Sequence, residues 1–228
     1  MTHWRETGMD AYSDRRAAGR VLAEHLAPLV GPDNPAVYGL LRGGMPVAFE
    51  VALALKADLD VFVVQKIGAP MQPELAMGAV AQGDARVVNE EIATYLGVSP
   101  EQFEQAAREA LSRVREREKA YRGDLPVIEP RGRTVVVVDD GLATGASMRA
   151  AVRAMRKLDA ARVVVGVPVG SENAVDVLTQ EADLVVCPMV PRMFMAVGRW
   201  YEDFGQTSDD EVRQLLAEGR ERLSGMRA

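Results

Sequence analysis

Cysteine is almost missing from this chain of 228 residues: Cys187 stands alone, which excludes an internal disulfide and a thiolate-bound metal cluster. It ends the apolar run Leu184-Val185-Val186-Cys187, so a buried structural thiol is expected rather than a nucleophile. A basic excess is missing too. Lys and Arg number 27 against 33 Asp and Glu, for a net charge of -6, which argues against a phosphate-tracking nucleic-acid surface. Any anion site must therefore be built locally. No apolar run approaches the roughly 20 residues that a membrane-spanning helix needs. The N-terminal MTHWRETGMDAYSDRR has no apolar stretch behind its charges, so no secretory signal is expected and a soluble, cytoplasmic protein is. Internal repeats and low-complexity segments are also absent.

Apolar residues make up 48% of the chain and fall in short blocks that alternate with helical patterns. This is the signature of a parallel sheet with crossover helices. One α/β domain spanning 1–228 is expected, with a doubly wound, Rossmann-like parallel sheet. Residues 13–30 place Ala17, Val21, Leu22, Leu26 and Leu29 on one helical stripe, with Ser13 or Asp14 as N-cap. His25 lies beside that stripe as an ordinary boundary residue. A strand at Ala36–Leu41, a helix from Pro46 to Leu55 and a strand at Val61–Gln65 follow. Pro46 suits a first helical turn, where its missing N–H costs nothing. The stretch Gly68 to Gly83, GAPMQPELAMGAVAQG, has two prolines, three glycines and no steady period, and a long loop is expected there. From Ser99 to Arg122 a charged helix is expected, with Ser99 as cap and Pro100 in its first turn. Strands at Thr134–Val138, Arg162–Val167 and Leu184–Cys187 alternate with helices from Gly145 to Leu158 and after Ser171. A capping box of Ser208 and Glu211 opens a C-terminal helix whose stripe, Val212, Leu215, Leu216 and Leu223, packs on its own domain or on a partner subunit.

Ligands of such sheets bind at the carboxyl ends of the strands. Three polar or glycine-rich turns follow strands here: Arg42-Gly43-Gly44, Lys66-Ile67-Gly68, and Asp139 to Ser147. In VVVVDDGLATGAS, Gly141, Gly145 and Ala146 let the backbone approach a ligand, Thr144 and Ser147 supply hydroxyls, and the helix start offers unpaired N–H groups to an anion. Neither a Walker ending nor a Gly-x-Gly-x-x-Gly fingerprint is present. Asp139 and Asp140 stand beside this cradle, where a phosphate alone would reject them. Carboxylates accept hydrogen bonds from hydroxyls, and a ribose 5-phosphate offers a vicinal diol at that remove from its phosphate.

The apolar strand, acidic pair and following A-T-G-A-S resemble the phosphoribosyl-pyrophosphate (PRPP) signature of the type I phosphoribosyltransferases, most of all the adenine and orotate enzymes. The resemblance implies that Asp139 and Asp140 contact the ribose diol while Gly141, Leu142, Ala143, Thr144, Gly145, Ala146 and Ser147 hold the 5-phosphate. Leu40-Leu41-Arg42-Gly43-Gly44 resembles the family's pyrophosphate loop, in which the peptide before the basic residue is often cis. Gly68 to Arg86 takes the place of its mobile loop, with a helical insertion to about residue 123, and Lys66 stands where a basic residue reaches pyrophosphate. Transfer of ribose 5-phosphate from PRPP to a nitrogenous acceptor is thereby implied. Mg2+ would be the cofactor, held by Asp139 and Asp140 and by Glu202 or Asp203, largely through water or substrate.

The resemblance also implies a hood, residues 187–228, over the acceptor. FMAVGRWYED looks like the 6-oxopurine enzymes' segment, so Phe194 or Met195 would stack on the base, with Trp200 and Tyr201 as rivals. Those enzymes, however, have a carboxylate where Ala143 stands and a lysine on the next strand, where this chain has Val165 to Val169. Guanine and hypoxanthine are thereby disfavoured, and the acceptor stays open. Two other readings use the same residues: a PRPP-sensing binding protein without transferase activity, and a hydrolase or phosphorylase of a nucleotide or sugar phosphate. The partners expected are small molecules, with no nucleic acid and no membrane, and a homodimer is compatible with the C-terminal stripe.

Overall fold

A computed structural model describes residues 2–3, 11–31, 34–69 and 72–227. In chain order its elements are β1 (Thr2–His3), α1 (Arg15–Val30), β2 (Ala36–Leu40), α2 (Gly44–Leu55), β3 (Asp58–Phe62), β4 (Val64–Ala69), β5 (Gln72–Ala81), β6 (Ala85–Val88), α3 (Glu90–Tyr95), α4 (Pro100–Arg122), β7 (Thr134–Val138), α5 (Ala146–Lys157), β8 (Arg162–Gly166), α6 (Glu172–Thr179), β9 (Leu184–Val186) and α7 (Asp209–Arg227). Six strands form one parallel sheet in the order β1-β9-β8-β7-β2-β3.

The four valines of β7 show why the sheet is wound on both sides. Val136 and Val138 enter a core with α1, α2 and α7, while Val135 and Val137 enter a second core with α5 and α6. All four are fully buried. A strand covered on both faces needs apolar side chains at every position, which the run of β-branched residues supplies. The stripe of α7 is spent inside the chain: Val212, Leu215, Leu216 and Leu223 join the first core. Asp14 caps α1, its carboxylate accepting from the Ala17 N–H at 2.7 Å. His25 sits partly buried, bonded through Nδ1 to the carbonyl of Val21.

Two expectations need correction. The strand placed at Val61–Gln65 is two strands, β3 in the main sheet and β4 in a separate one, divided at Val63. The long loop from Gly68 to Gly83 is largely a strand: β5 pairs antiparallel with β4, from Val64↔Ala81 to Ala69↔Gln72, and with β6. Pro70 and Met71 lie outside the described residues. Alanine and glycine give β5 little strand propensity, so its pairing is decided by packing on α4. Val63, Ile67, Met77 and Val80 meet Phe103, Ala107, Ala110, Leu111 and Val114 in a core of their own. A Cβ on Gly78 would come within 2.4 Å of the Val87 carbonyl oxygen and 2.7 Å of Phe103, so the close approach requires glycine.

The insertion's helix α4 begins with a complete capping box. Ser99 Oγ accepts from the Gln102 N–H at 3.2 Å, and Gln102 Oε1 accepts from the Ser99 N–H at 2.8 Å. Ser99→Ala is expected to lower stability by about 1 kcal/mol, read as a shifted urea midpoint with unchanged slope.

Candidate active site

The site is assembled where β2 and β7, neighbours in the sheet, end side by side. Beyond β2 the Leu41–Arg42 peptide is cis, and Gly43 and Gly44 lead into α2. Beyond β7 come Asp139 and Asp140. The two turns touch. A Cβ on Gly43 would lie 2.1 Å from Asp140 Oδ2, and one on Gly44 would lie 2.6 Å from the Val138 carbonyl oxygen and 3.2 Å from Asp139 Oδ1. Only glycine lets them approach. The obstacle at Gly44 is backbone and cannot rotate away, so Gly44→Ala is expected to cost about 1–3 kcal/mol through overpacking, seen as a lower melting temperature.

The acid pair is enclosed. Asp139 Oδ1 accepts from the Asp140 N–H at 2.9 Å. Burial, and then the charge of Asp140, push the Asp139 carboxyl well above the ordinary carboxylate range. Burial raises Asp140 as well, opposed by the guanidinium of Arg15, whose Nε donates to Oδ2 at 2.8 Å. The peptide carbonyl of Asp140 accepts from the Tyr201 hydroxyl at 2.6 Å.

From Gly141 to Ser147 the chain turns across the sheet's edge. The Leu142 N–H donates to Val169 O at 2.9 Å, and Ser171 holds this loop at two points, its N–H donating to Leu142 O and its Oγ to Ala143 O. Gly145 takes a left-handed φ of 70° at the start of α5, and no side chain caps this helix. Its first-turn N–H groups are thus free of side-chain competition, and Ala143, Thr144 and Ser147 are exposed beside them. Such a terminus favours an anion. Lys66, on β4, is exposed and lines a groove of about 110 Å³ with Asn89, Ala146, Arg149 and Arg153. It is therefore placed at the start of α5. The guanidinium of Arg42 donates to Asp209 Oδ1 at 3.2 Å, which also accepts from the Tyr121 hydroxyl at 2.6 Å.

The hood folds back over the acid loop: a Cβ on Gly141 would meet Val197 Cγ1 at 2.6 Å. Phe194 and Trp200 are half-buried against Tyr12, Val169, Met189 and Tyr201, while Met195 is 70% exposed. Tyr201 is buried between Tyr12 and Phe204, with ring centroids 5.7 and 5.1 Å away, so its ring is engaged in packing and its hydroxyl in fixing Asp140. Glu202 and Asp203 are exposed, tied by their N–H groups to Tyr12 O and Ser13 O. Among the described residues no group of three or more His, Cys, Asp or Glu gathers to hold a metal.

Arg15, Phe204 and Asp209 belong to this site and were not singled out from the sequence. Each is joined to its partner across more than a hundred residues of chain or by a ring contact, and no local pattern marks them. Cys187, in contrast, behaves as expected. It is fully buried, with its thiol pushed up to about 12 by burial. Since burial keeps reagents out and leaves only a small thiolate fraction at pH 8, an aromatic disulfide reagent at that pH should leave it unmodified until the protein is unfolded.

Comparison with known proteins agrees with this geometry. The family model described as the phosphoribosyl transferase domain matches residues 9–197. A Mycobacterium tuberculosis H37Rv protein provisionally named a phosphoribosyl transferase is 44% identical over 208 residues, 91% of this chain and 47% of its own length. The chain therefore spans about half the length of that curated relative. The crystal structure of TT1426 from Thermus thermophilus superposes with a TM-score of 0.82 at 44% identity, covering 91% of this chain and 98% of that one. With most of its length matched by the family model, and the glycine turn and acid pair in contact at the strand ends, the chain belongs to the phosphoribosyl transferase domain family.

Proposed function

We propose that the chain moves ribose 5-phosphate from PRPP to a nitrogenous base or related acceptor, releasing pyrophosphate, with Mg2+ as cofactor. The observation that carries this reading is the direct contact of the Gly43-Gly44 turn with Asp139 and Asp140, beside the uncapped start of α5. Two anion sites and a hydroxyl-accepting pair then lie within one sugar phosphate. The 5-phosphate takes the N–H groups of α5 with Thr144 and Ser147, the diol takes the carboxylates, and pyrophosphate takes Arg42 and the Gly43 and Gly44 amides.

In the transfer, the C1–oxygen bond to pyrophosphate breaks with its electron pair leaving on oxygen, a nitrogen of the acceptor bonds to C1, and the acceptor's proton is released. The transition state is oxocarbenium-like, so fixed donors at the leaving group supply the stabilisation. Arg42 reaches that role by exchanging Asp209 for pyrophosphate. Ala143 offers no base, which favours an acceptor able to lose its proton without one at that place. Asp139 and Asp140 fit Mg2+ in the manner usual for this ion, one or two carboxylates with substrate oxygens and water completing the shell. When bound, it would supply charge neutralisation for pyrophosphate.

Pyrophosphate release from PRPP, measured with a panel of nitrogenous bases with and without Mg2+, tests the proposal. Release with one acceptor class and only with Mg2+ is expected. PRPP binding with no release for any acceptor would replace it with the sensor reading, and rapid ribose 5-phosphate formation without acceptor with the hydrolase reading.

A further inference from the structure

Arg15 is the first residue of α1, fixed there by the Asp14 cap. Its guanidinium is used on two edges and one face. Nε donates to Asp140 Oδ2 at 2.8 Å, Nη1 donates to Gly205 O at 2.6 Å, and Cζ lies 3.9 Å from the centre of the Phe204 ring. The side chain is only 11% exposed. A planar fork that also stacks is a property of arginine alone among the cations. The oxygen it holds, Oδ2, is the one seated against Gly43, while the carbonyl of the same residue is held by Tyr201.

We infer that Arg15 is a positioning residue for Asp140, an inference resting on the acid pair as the ribose site. With Oδ2 committed to Arg15, the other carboxylate oxygen is presented to a sugar hydroxyl. Because Arg15 is itself fastened to Phe204 and Gly205, and Asp140 to Tyr201, the hood sets the aim of the acid. The ribose site and the segment over the acceptor are thus one mechanical unit.

The test compares Arg15→Met, Arg15→Lys and Phe204→Leu with the wild-type chain in crystal structures without ligand and in PRPP kinetics. In Arg15→Met, Asp140 should leave Gly43, and KM for PRPP should rise roughly 10- to 100-fold, as expected when a hydrogen bond to a charged group is lost, with kcat less affected. Arg15→Lys, which keeps one bond, should recover most of that loss, and Phe204→Leu should show a smaller rise in KM. A general loss of structure would lower the melting temperature and the active fraction without raising KM selectively. Asp140 staying against Gly43 in Arg15→Met, or an unchanged KM, overturns the inference. The ligand-free structures decide it even if the wild-type chain proves not to bind PRPP, an outcome that would instead remove the proposed function. Should Arg15→Met fail to fold, Phe204→Leu decides: a shift of Asp140 from Gly43 with a raised KM is expected, and Asp140 left in place with an unchanged KM overturns the inference.

Discussion

Asp140→Asn is expected to lower PRPP turnover by at least about 100-fold, the scale seen when one electrostatic partner of a reaction centre is removed, with the fold retained. The amide has the shape of the carboxylate, so it fits against Gly43, where Asp140 Oδ2 already fills the space that a Cβ would take. Its oxygen can still accept from Arg15 Nε, which now donates at 2.8 Å. Stability should therefore change by no more than about 1 kcal/mol, because the weaker bond from Arg15 to a neutral acceptor is offset by the removal of a charge that burial disfavours. What is lost is the negative charge of Asp140 beside a developing cation, and an acceptor-only group facing the ribose diol. Steady-state pyrophosphate release and calorimetric PRPP titration check the two halves. Wild-type turnover in the variant would remove Asp140 from the reaction.

The largest stability effect is expected at Asp60 on β3, in register with Tyr38 of β2. It is fully buried and gathers three elements. Its Oδ1 accepts from Arg122 Nε of α4 at 3.2 Å, its Oδ2 accepts from the Ile128 N–H at 3.1 Å, and Arg220 Nη2 of α7 lies 3.2 Å from Oδ2. Arg122 is itself 7% exposed. Removing Asp60 takes the shared counter-charge from two little-exposed arginines, leaving Arg122 with Glu118 at 4.0 Å and Arg220 with backbone carbonyls, at a cost of about 3–5 kcal/mol. Against a usual total of about 5–15 kcal/mol, Asp60→Ala should lower the urea midpoint sharply. Asp60→Ala combined with Arg122→Met should recover part of the loss, because two apolar groups replace a pair that was costly to bury. If Asp60→Ala cost no more than an exposed substitution, about 0.5 kcal/mol, water would have to reach the cluster and the buried-charge account would be wrong.

This cluster also explains why the insertion is firmly attached. The segment from β4 to α4 has its own apolar core, and Asp60, Arg122 and Arg220 clamp its long helix to β3 and α7. Had α4 been held only by its charged face, solvated ion pairs would contribute little.

Most of the main sheet was legible residue by residue. Four adjacent valines can only be covered on both faces, Pro46 and Pro100 fall in first turns, and Ser99, Ser171 and Ser208 stand where helices begin. The acid pair, the glycine turn and the loop from Gly141 to Ser147 were legible as local patterns at strand ends, and the structure brings the first two into contact. The strand β5 was not. Its alanines and glycines are chosen for closeness to α4 and to β6, a property of the partner surfaces that leaves no period in the segment itself. Lys66 was marked by its place after a strand, but which strand end it serves depended on the division at Val63, which sends β4 out of the main sheet and sets Lys66 beside α5.

The sequence by itself determined most of the strand and helix order of the main sheet and the faces those elements bury, since these follow from periodicity and from the conformational limits of glycine and proline, whereas Lys66-Ile67-Gly68, expected as a turn, lies within β4. The tertiary structure alone decided that Arg15 holds Asp140, that the Tyr201 hydroxyl donates to the Asp140 carbonyl, that Arg42 rests on Asp209, and that Asp60 is the hub of a buried cluster. Those pairings join residues 61 to 167 positions apart. Distances across a fold are set by how its layers close, and no neighbour along the chain records them.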